Sequence, residues 1–420
     1  MKIRLLCLVV FLVLQSPAWA FSKRFSTNTE TDSISVAEAL RLLRERNMLL
    51  QMKNKELEMA VANQKQERLL ENPELSISHN INNPVTNRYF ETNYDGQTDI
   101  QFSQRIYIGG QRGERIRKAE AELRRTEHER DDVMRLLSRE LSSQMVQLFS
   151  LGQKVAVIDK EILSTDKILK AYETQSEKGN VAPVEVTRIR SQHMQLLQER
   201  NSLISEMIDL KQSLRLMLAE PRLACFPKID YEGSVAALDN LTLDALYERL
   251  ASRADMQADK HDIISAEHEL KLQKANTLPE VRLTGEWDKN GNIGHNFFAM
   301  GISFSVPIFN YNQGGRKAAA ALLDAKRMQY EWNRNKALSE ISAVWSKLQT
   351  NRQIAEEAEK HLASENENLI TEVERQYMSR NISLLELLDY YQMYKDTRYL
   401  VIDSRKEVLM SMIELDLEIE

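Results

Sequence analysis

Hydrophobic and polar positions along this chain follow two periods, and each returns in both halves. Val281, Leu283, Gly285 and Trp287 alternate with Arg282, Thr284 and Glu286. Phe298, Met300, Ile302, Phe304 and Val306 alternate with Ala299, Gly301, Ser303 and Ser305. A period of two predicts strands with one apolar face and one polar or small face. The first half carries a less regular version in Leu75 and Ile77, then Ile100 and Phe102. Strands are therefore expected near 74–83, 98–107, 280–288 and 296–307. Elsewhere apolar residues recur at spacings of three and four, as at Ala355, Ala358, Leu362, Leu369 and Val373. With charged residues between them, these are seams of coiled-coil-like helices.

The strands sit in a unit that occurs twice. ISVAEALRLLRER at 34–46 parallels LTLDALYERLASR at 241–253, and NPELSIS at 72–78 parallels LPEVRLT at 278–284. Gly109-Gly110 parallels Gly314-Gly315, and GNVAPVEV at 179–186 parallels RNISLLEL at 380–387. Subtracting 34 from 241, 72 from 278, 109 from 314 and 179 from 380 gives offsets of 207, 206, 205 and 201. So slow a drift indicates an internal duplication, too long and in too few copies for a solenoid. Each unit reads in the same order. A helix of about 37 residues opens it, N-capped by Ser35 (with Glu38 as a capping box) or by Thr242. Pro73 or Pro279 stops that helix, because proline lacks the N–H a helix needs. Two strands follow, and the glycine pair lets the chain bend from strand into helix. A helix of about 65 residues then runs to a turn, and a helix of about 36 residues returns. The domains are thus a leader at 1–20, a first repeat at 21–222, a linker at 223–240 and a second repeat at 241–420.

The leader has a basic start at Lys2 and Arg4, an apolar core from Leu5 to Leu14 and the ending Ala18-Trp19-Ala20, which reads as a cleaved secretory signal peptide. Removing its two positive charges moves the net charge from −6 to −8, a poor balance for binding nucleic acid. One cysteine, Cys225, then remains, so no intrachain disulfide is available to an exported protein that burial or assembly must hold together. No remaining stretch has some 18 consecutive apolar residues, so a membrane crossing would have to be a β-barrel.

Helix length constrains the architecture. A helix of about 65 residues spans about 100 Å, and two of about 36 residues placed end to end match it. The strands lie at one end of this rod and the turns at the other. Four strands cannot close a barrel, and they leave two exposed edges. Three chains would supply twelve strands, with polar faces toward a lumen and apolar faces toward lipid.

The duplicated unit, SQRIYIGGQRGERIRKAEAEL at 103–123, GISFSVPIFNYNQGGRKAAAALLDA at 301–325 and the two turn segments resemble the TolC family of bacterial outer-membrane channel proteins over about residues 34–420. NPELSIS and the two glycine-pair segments most resemble its heavy-metal efflux branch. The resemblance implies a mainly α fold with a small β part. A long α-helical coiled-coil barrel would join a twelve-stranded β-barrel built by a homotrimer in the outer membrane, with a periplasmic extension. It also implies a periplasmic adaptor protein and an inner-membrane pump, of the RND type first. The family's adaptor-docking tips map onto Gly179, Val181, Ala182, Glu185 and Val186, and onto Arg380, Asn381 and Leu384. Arg380 stands where the family usually has glycine, which puts that turn's geometry in question. The family's acidic constriction maps onto Glu386 and Asp389, and its gate-tethering tyrosine onto Tyr377.

Glu386 and Asp389 are three apart and share a helix face, so a threefold axis would gather six carboxylates that favour cations and raise some of their pKa values. A bland reading competes: carboxylates in a first helical turn also suit the helix dipole. The seven histidines show no ligand spacing, and no nucleophile–base set, phosphate loop, cofactor motif or metal motif stands out. Tyr89, Phe90, Tyr94, Trp287, Phe297 and Phe298 suit an interfacial aromatic girdle, with core packing as the alternative. The expected function is a passive exit duct for metal cations or small toxic compounds. The competing class is a soluble periplasmic coiled-coil adaptor or chaperone.

Overall fold

Each half of the chain opens on two short helices rather than one. The computed structural model describes residues 33–221, 226–236, 238, 241–291, 294–360 and 369–419. The leader, Cys225, His361 and Leu362 lie outside the described residues. Strand β1 (Ser33–Ser35) leads into α1 (Val36–Arg46), capped by Ser35 Oγ, which accepts from the Glu38 amide at 3.2 Å. At Asn47 the backbone turns extended, with φ −60° and ψ 124°, before α2 (Met48–Glu67) begins. The sequence predicts a single helix here, and Asn47 is why there are two. Its buried side chain accepts from Leu50 N at 3.0 Å and donates to Met217 O at 2.8 Å. It therefore caps a new helix and fastens the break to a distant one. Helix α2 ends well before Pro73, which stands instead at the entrance to β2 (Glu74–His79). A small hairpin, β3 (Asn82–Asn83) and β4 (Arg88–Tyr89), lies before β5 (Thr98–Ile106). Helix α3 (Gln111–Glu177) then runs for 67 residues, about 100 Å at the helical rise, and α4 (Pro183–Met217) returns.

Strand β6 (Phe226–Lys228) pairs in parallel with β1, and α5 (Tyr231–Ala236) follows. The second half repeats the first. Thr242 Oγ1 caps α6 (Leu243–Leu250), accepting from Ala245 N at 3.4 Å. The break recurs at Arg253, extended at φ −57° and ψ 138°, its buried guanidinium bound to Asp255 at 2.7 and 2.8 Å. Then come α7 (Ala254–Ala275), β7 (Val281–Gly291), β8 (Gly294–Phe304), α8 (Gln313–Ala358), α9 (Leu369–Met378) and α10 (Leu384–Ile419). Again the helix, α7, ends short of its proline, Pro279. Two matching cores support the duplication. Leu43 of α1 packs with Leu141 and Leu148 of α3 and Leu214 of α4; Leu250 of α6 packs with Ile341 and Leu348 of α8 and Val408 of α10. Among the described residues no helix is long and apolar enough to cross a membrane.

The strands form one antiparallel sheet in the order β2-β5-β7-β8, so each half contributes two neighbouring strands. The register stacks like on like. Leu75 faces Phe102, Ile100 faces Trp287, Trp287 faces Phe298, and Leu283 faces Ile302. On this face Ile77, Phe298, Met300 and Ile302 are exposed, Met300 to 92%. The opposite face carries ions: Arg282 binds Glu74 at 2.8 Å and Glu280 at 3.1 Å, and Arg105 binds Glu280 at 3.0 Å. Among the described residues, strands β2 and β8 have one strand neighbour each, so both outer edges are open. The 80–97 connection is ordered around the buried carboxylate of Glu91, which accepts from Asn83 at 2.9 Å, Thr86 at 2.5 Å and Asn93 at 3.0 Å. Lys289 of β7 donates to the carbonyls of Thr92 and Asn93 at 2.8 and 2.6 Å, tying this loop to the second half.

The junctions from strand to helix correct one expectation. Gly110 is left-handed at φ 76° and directly precedes α3. At the second junction the left-handed residue is Asn312, at φ 58°, while Gly314 and Gly315 lie inside the first turn of α8. A side-chain contact identifies the true equivalents. Gln111 Oε1 accepts from Gly109 N at 3.0 Å, and Gln313 Oε1 accepts from Tyr311 N at 3.1 Å. Gly109-Gly110-Gln111 thus matches Tyr311-Asn312-Gln313. The small residue at Gly109 has a packing reason as well: a Cβ there would sit 2.5 Å from Leu278 Cδ1.

Candidate gate and docking tips

Far from the sheet, α3 turns into α4 and α9 turns into α10, and the two turns are built alike. Gly179 is left-handed at φ 77°, with its N–H on Ser176 O at 2.9 Å and Asn180 N on Gln175 O at 3.0 Å. Arg380 is left-handed at φ 59°, with its N–H on Tyr377 O at 2.9 Å and Asn381 N on Gln376 O at 2.9 Å. Bonds spanning three and five residues around a left-handed residue close a helix C-terminus. Arg380 therefore makes the glycine turn without being glycine. Ala182 is the extended residue before α4, and Pro183 begins the helix, where its missing N–H leaves no bond unmade. Ala182 and Glu185 are exposed, while Val186 and Leu384 are buried.

The two tips share a core. Leu169 of α3, Val186 and Ile189 of α4, Val373 of α9, and Leu384, Leu387 and Tyr391 of α10 form one cluster, with Val181 and Tyr377 packed against it. Polar contacts thread the same place. The Tyr172 and Tyr377 rings stack with centroids 6.4 Å apart, and their hydroxyls are hydrogen-bonded. Burial first, and then this bond, pushes the Tyr377 phenol above its ordinary range. Glu374 of α9 accepts from Ser164 of α3 at 2.9 Å and from Tyr391 of α10 at 2.8 Å, joining three helices at one carboxylate.

Glu386 and Asp389 project on the exposed face of α10, opposite Leu384 and Leu387. Glu386 has a further task. Its Oε2 accepts from Ser383 N at 2.7 Å and Ser383 Oγ at 2.8 Å, while Glu386 N donates to Ser383 Oγ at 3.3 Å. This is a reciprocal capping box. The Ser383 amide, followed by its hydroxyl, holds the Glu386 carboxyl below its ordinary value within the single chain. The direction is opposite to the rise expected from crowded like charges. Sequence reasoning missed Ser383, Tyr172, Ser164, Glu374 and Tyr391. The S-x-x-E spacing of Ser383 and Glu386 was there to be read; the others carry no local signal, because they meet only across helices.

These observations describe a mostly helical chain with a small edge-open sheet at one end and paired hairpin tips at the other. Residues 39–219 match the Outer membrane efflux protein family. No curated protein sequence matches the chain. Among solved structures it is similar to the channel-forming protein CusC, at 17% identity and a TM-score of 0.75, over 94% of this chain and 95% of that one. It is similar to the CmeC outer membrane channel of Campylobacter jejuni, at 15% identity and 0.75, over 91% and 85%. It is also similar to the open state of the MtrE outer membrane channel of Neisseria gonorrhoeae, at 14% identity and 0.73, over 91% and 88%. The fold is thus that of TolC-like channels: mainly helical with a small strand part.

Proposed function

We propose that three copies of this chain close into an outer-membrane efflux channel, a non-enzymatic exit duct that continues through the periplasm. The observation that carries this reading is the four-stranded antiparallel sheet, with an exposed apolar face, an ionic opposite face and two free edges. Threefold closure pairs every free edge and makes twelve strands. The apolar faces then meet lipid, and the arginines and carboxylates line the lumen. The tips at Gly179 and Arg380 are the docking points for a periplasmic adaptor, and an inner-membrane pump of the RND type supplies the energy. The heavy-metal branch remains our first assignment, on the strength of NPELSIS and the glycine-pair segments, with metal cations as cargo ahead of small organic compounds.

Glu386 and Asp389 form the acidic constriction, and Tyr377 tethers the gate. The test is a purified, detergent-solubilised protein weighed in solution and reconstituted in a planar bilayer. A trimer with low-conductance channels supports the duct. A soluble monomer or dimer without channels would favour the periplasmic coiled-coil protein instead. In the same bilayers, replacing Glu386 and Asp389 together by alanine raises single-channel conductance and weakens block by divalent cations. Unchanged conductance and block remove the constriction from the proposal.

A further inference from the structure

The helical region holds a carboxylate that the duct itself does not explain. Glu161 lies on α3 with 8% of its surface exposed, and among the described residues neither carboxylate oxygen has a hydrogen-bond partner. One turn on, Thr165 is 1% exposed and its hydroxyl also has no partner among the described residues. A buried ionised carboxylate normally collects charge-assisted hydrogen bonds, and a bare one is costly.

The surrounding groups show why it has none. From α10 it faces Lys395, Asp396, Tyr391 and Tyr399; from α4 it faces Glu199; and Glu374 of α9 holds the Tyr391 hydroxyl. The cation among them, Lys395, is 5% exposed and already committed, with Nζ on Glu199 Oε2 at 2.7 Å. Above and below, α3 is fastened to its neighbours by pairs that leave Glu161 out. Lys154 binds Asp403 of α10 at 2.8 Å, and Ser164 binds Glu374.

We propose that Glu161 is a proton-binding site whose occupancy decides which helix Lys395 ties α10 to. With the proton on, Glu161 is a neutral filler among α3, α4 and α10, and Lys395 belongs to Glu199 on α4. With the proton off, a bare anion sits beside Lys395 and competes with Glu199 for it. The tie shifts from α4–α10 toward α3–α10. Burial pushes the Glu161 carboxyl up to about 7; Lys395 opposes the rise, and Glu199 and Asp396 reinforce it. The exchange therefore falls near neutral pH. Because α10 also carries Glu386 and Asp389, the site couples ambient acidity to the helix of the proposed constriction, and only this last clause rests on the channel reading.

The sign is set by the direction of the shift. A carboxyl raised in the folded state binds its proton at a higher pH than in the unfolded chain. Stability is therefore lost as pH rises from the ordinary carboxylate range through about 7. The test uses the assembled protein in detergent, melted at about pH 5.5 and about pH 8.5. Glu161→Gln is expected to melt above the parent by a clearly larger margin at the alkaline pH than at the acidic one. An infrared difference spectrum between the two conditions is expected to show a protonated carboxyl band, lost at alkaline pH, that Glu161→Gln lacks. Glu199→Gln keeps Glu161 but removes its competitor and a like charge, and is expected to lower the midpoint of that band by about one pH unit. A melting difference that is the same at both pH values, or a midpoint that ignores Glu199→Gln, overturns the proposal. Neither readout depends on channel activity, so a failed bilayer experiment leaves this result separate.

Discussion

Arg380 holds a left-handed backbone that its counterpart Gly179 adopts without steric cost. An L-residue with a side chain pays about 1 kcal/mol for that conformation. Arg380→Gly is therefore expected to raise the melting temperature of the assembled protein by an amount corresponding to about 1 kcal/mol. A melt that is unchanged or lower would mean that the arginine side chain returns more than its backbone costs. The position of this turn was legible, because 179–186 aligns with 380–387, but its geometry was not. The same blindness explains the second strand–helix junction. Asparagine enters the left-handed region more readily than most residues that carry a side chain. A glycine pair two residues farther on therefore drew attention away from Asn312. The shared Gln111 and Gln313 contacts settle the equivalence, and side-chain contacts of that kind are not written in residue spacing.

Among elements, the tips are held by one apolar cluster and a few buried polar bonds. The Tyr172–Tyr377 bond joins α3 to α9 beside the stacked rings of the same two residues. Tyr377→Phe is expected to increase the open time of reconstituted channels, by an effect worth about 1 kcal/mol. Tyr172→Phe should do the same, and the double variant should add little, since both changes delete one bond. Additive effects would show that the two hydroxyls act separately. The helices themselves were readable in type and order from apolar seams with spacings of three and four. Their interruptions were not. Asn47 breaks a favourable run because its buried side chain finds Met217 O, a partner that the local sequence cannot announce, while Arg253 breaks the second run beside the Asp255 carboxylate two residues on.

For the whole molecule, the sheet sets the terms. Its strands were the most legible feature, because a period of two places every second residue on one face whatever the partner strand. The order β2-β5-β7-β8 then places the like faces of both halves together. If the apolar face meets lipid in the proposed trimer, Ile302→Arg puts a charge there at a cost of about 2–4 kcal/mol at the membrane midplane, read as lost trimer in detergent extracts of membranes. Ser303→Arg, one residue along on the opposite face, should assemble normally. Equal loss from both would argue against a lipid-facing side. The open edges of β2 and β8 also have a genetic consequence. A subunit spoiled only along one edge can still offer the other, and so can occupy a place in a ring that it cannot complete. Expressed beside an equal amount of intact chain, it would leave roughly one ring in eight free of it. Such an allele should be dominant, and its severity should rise with its dose more steeply than simple loss of protein would explain.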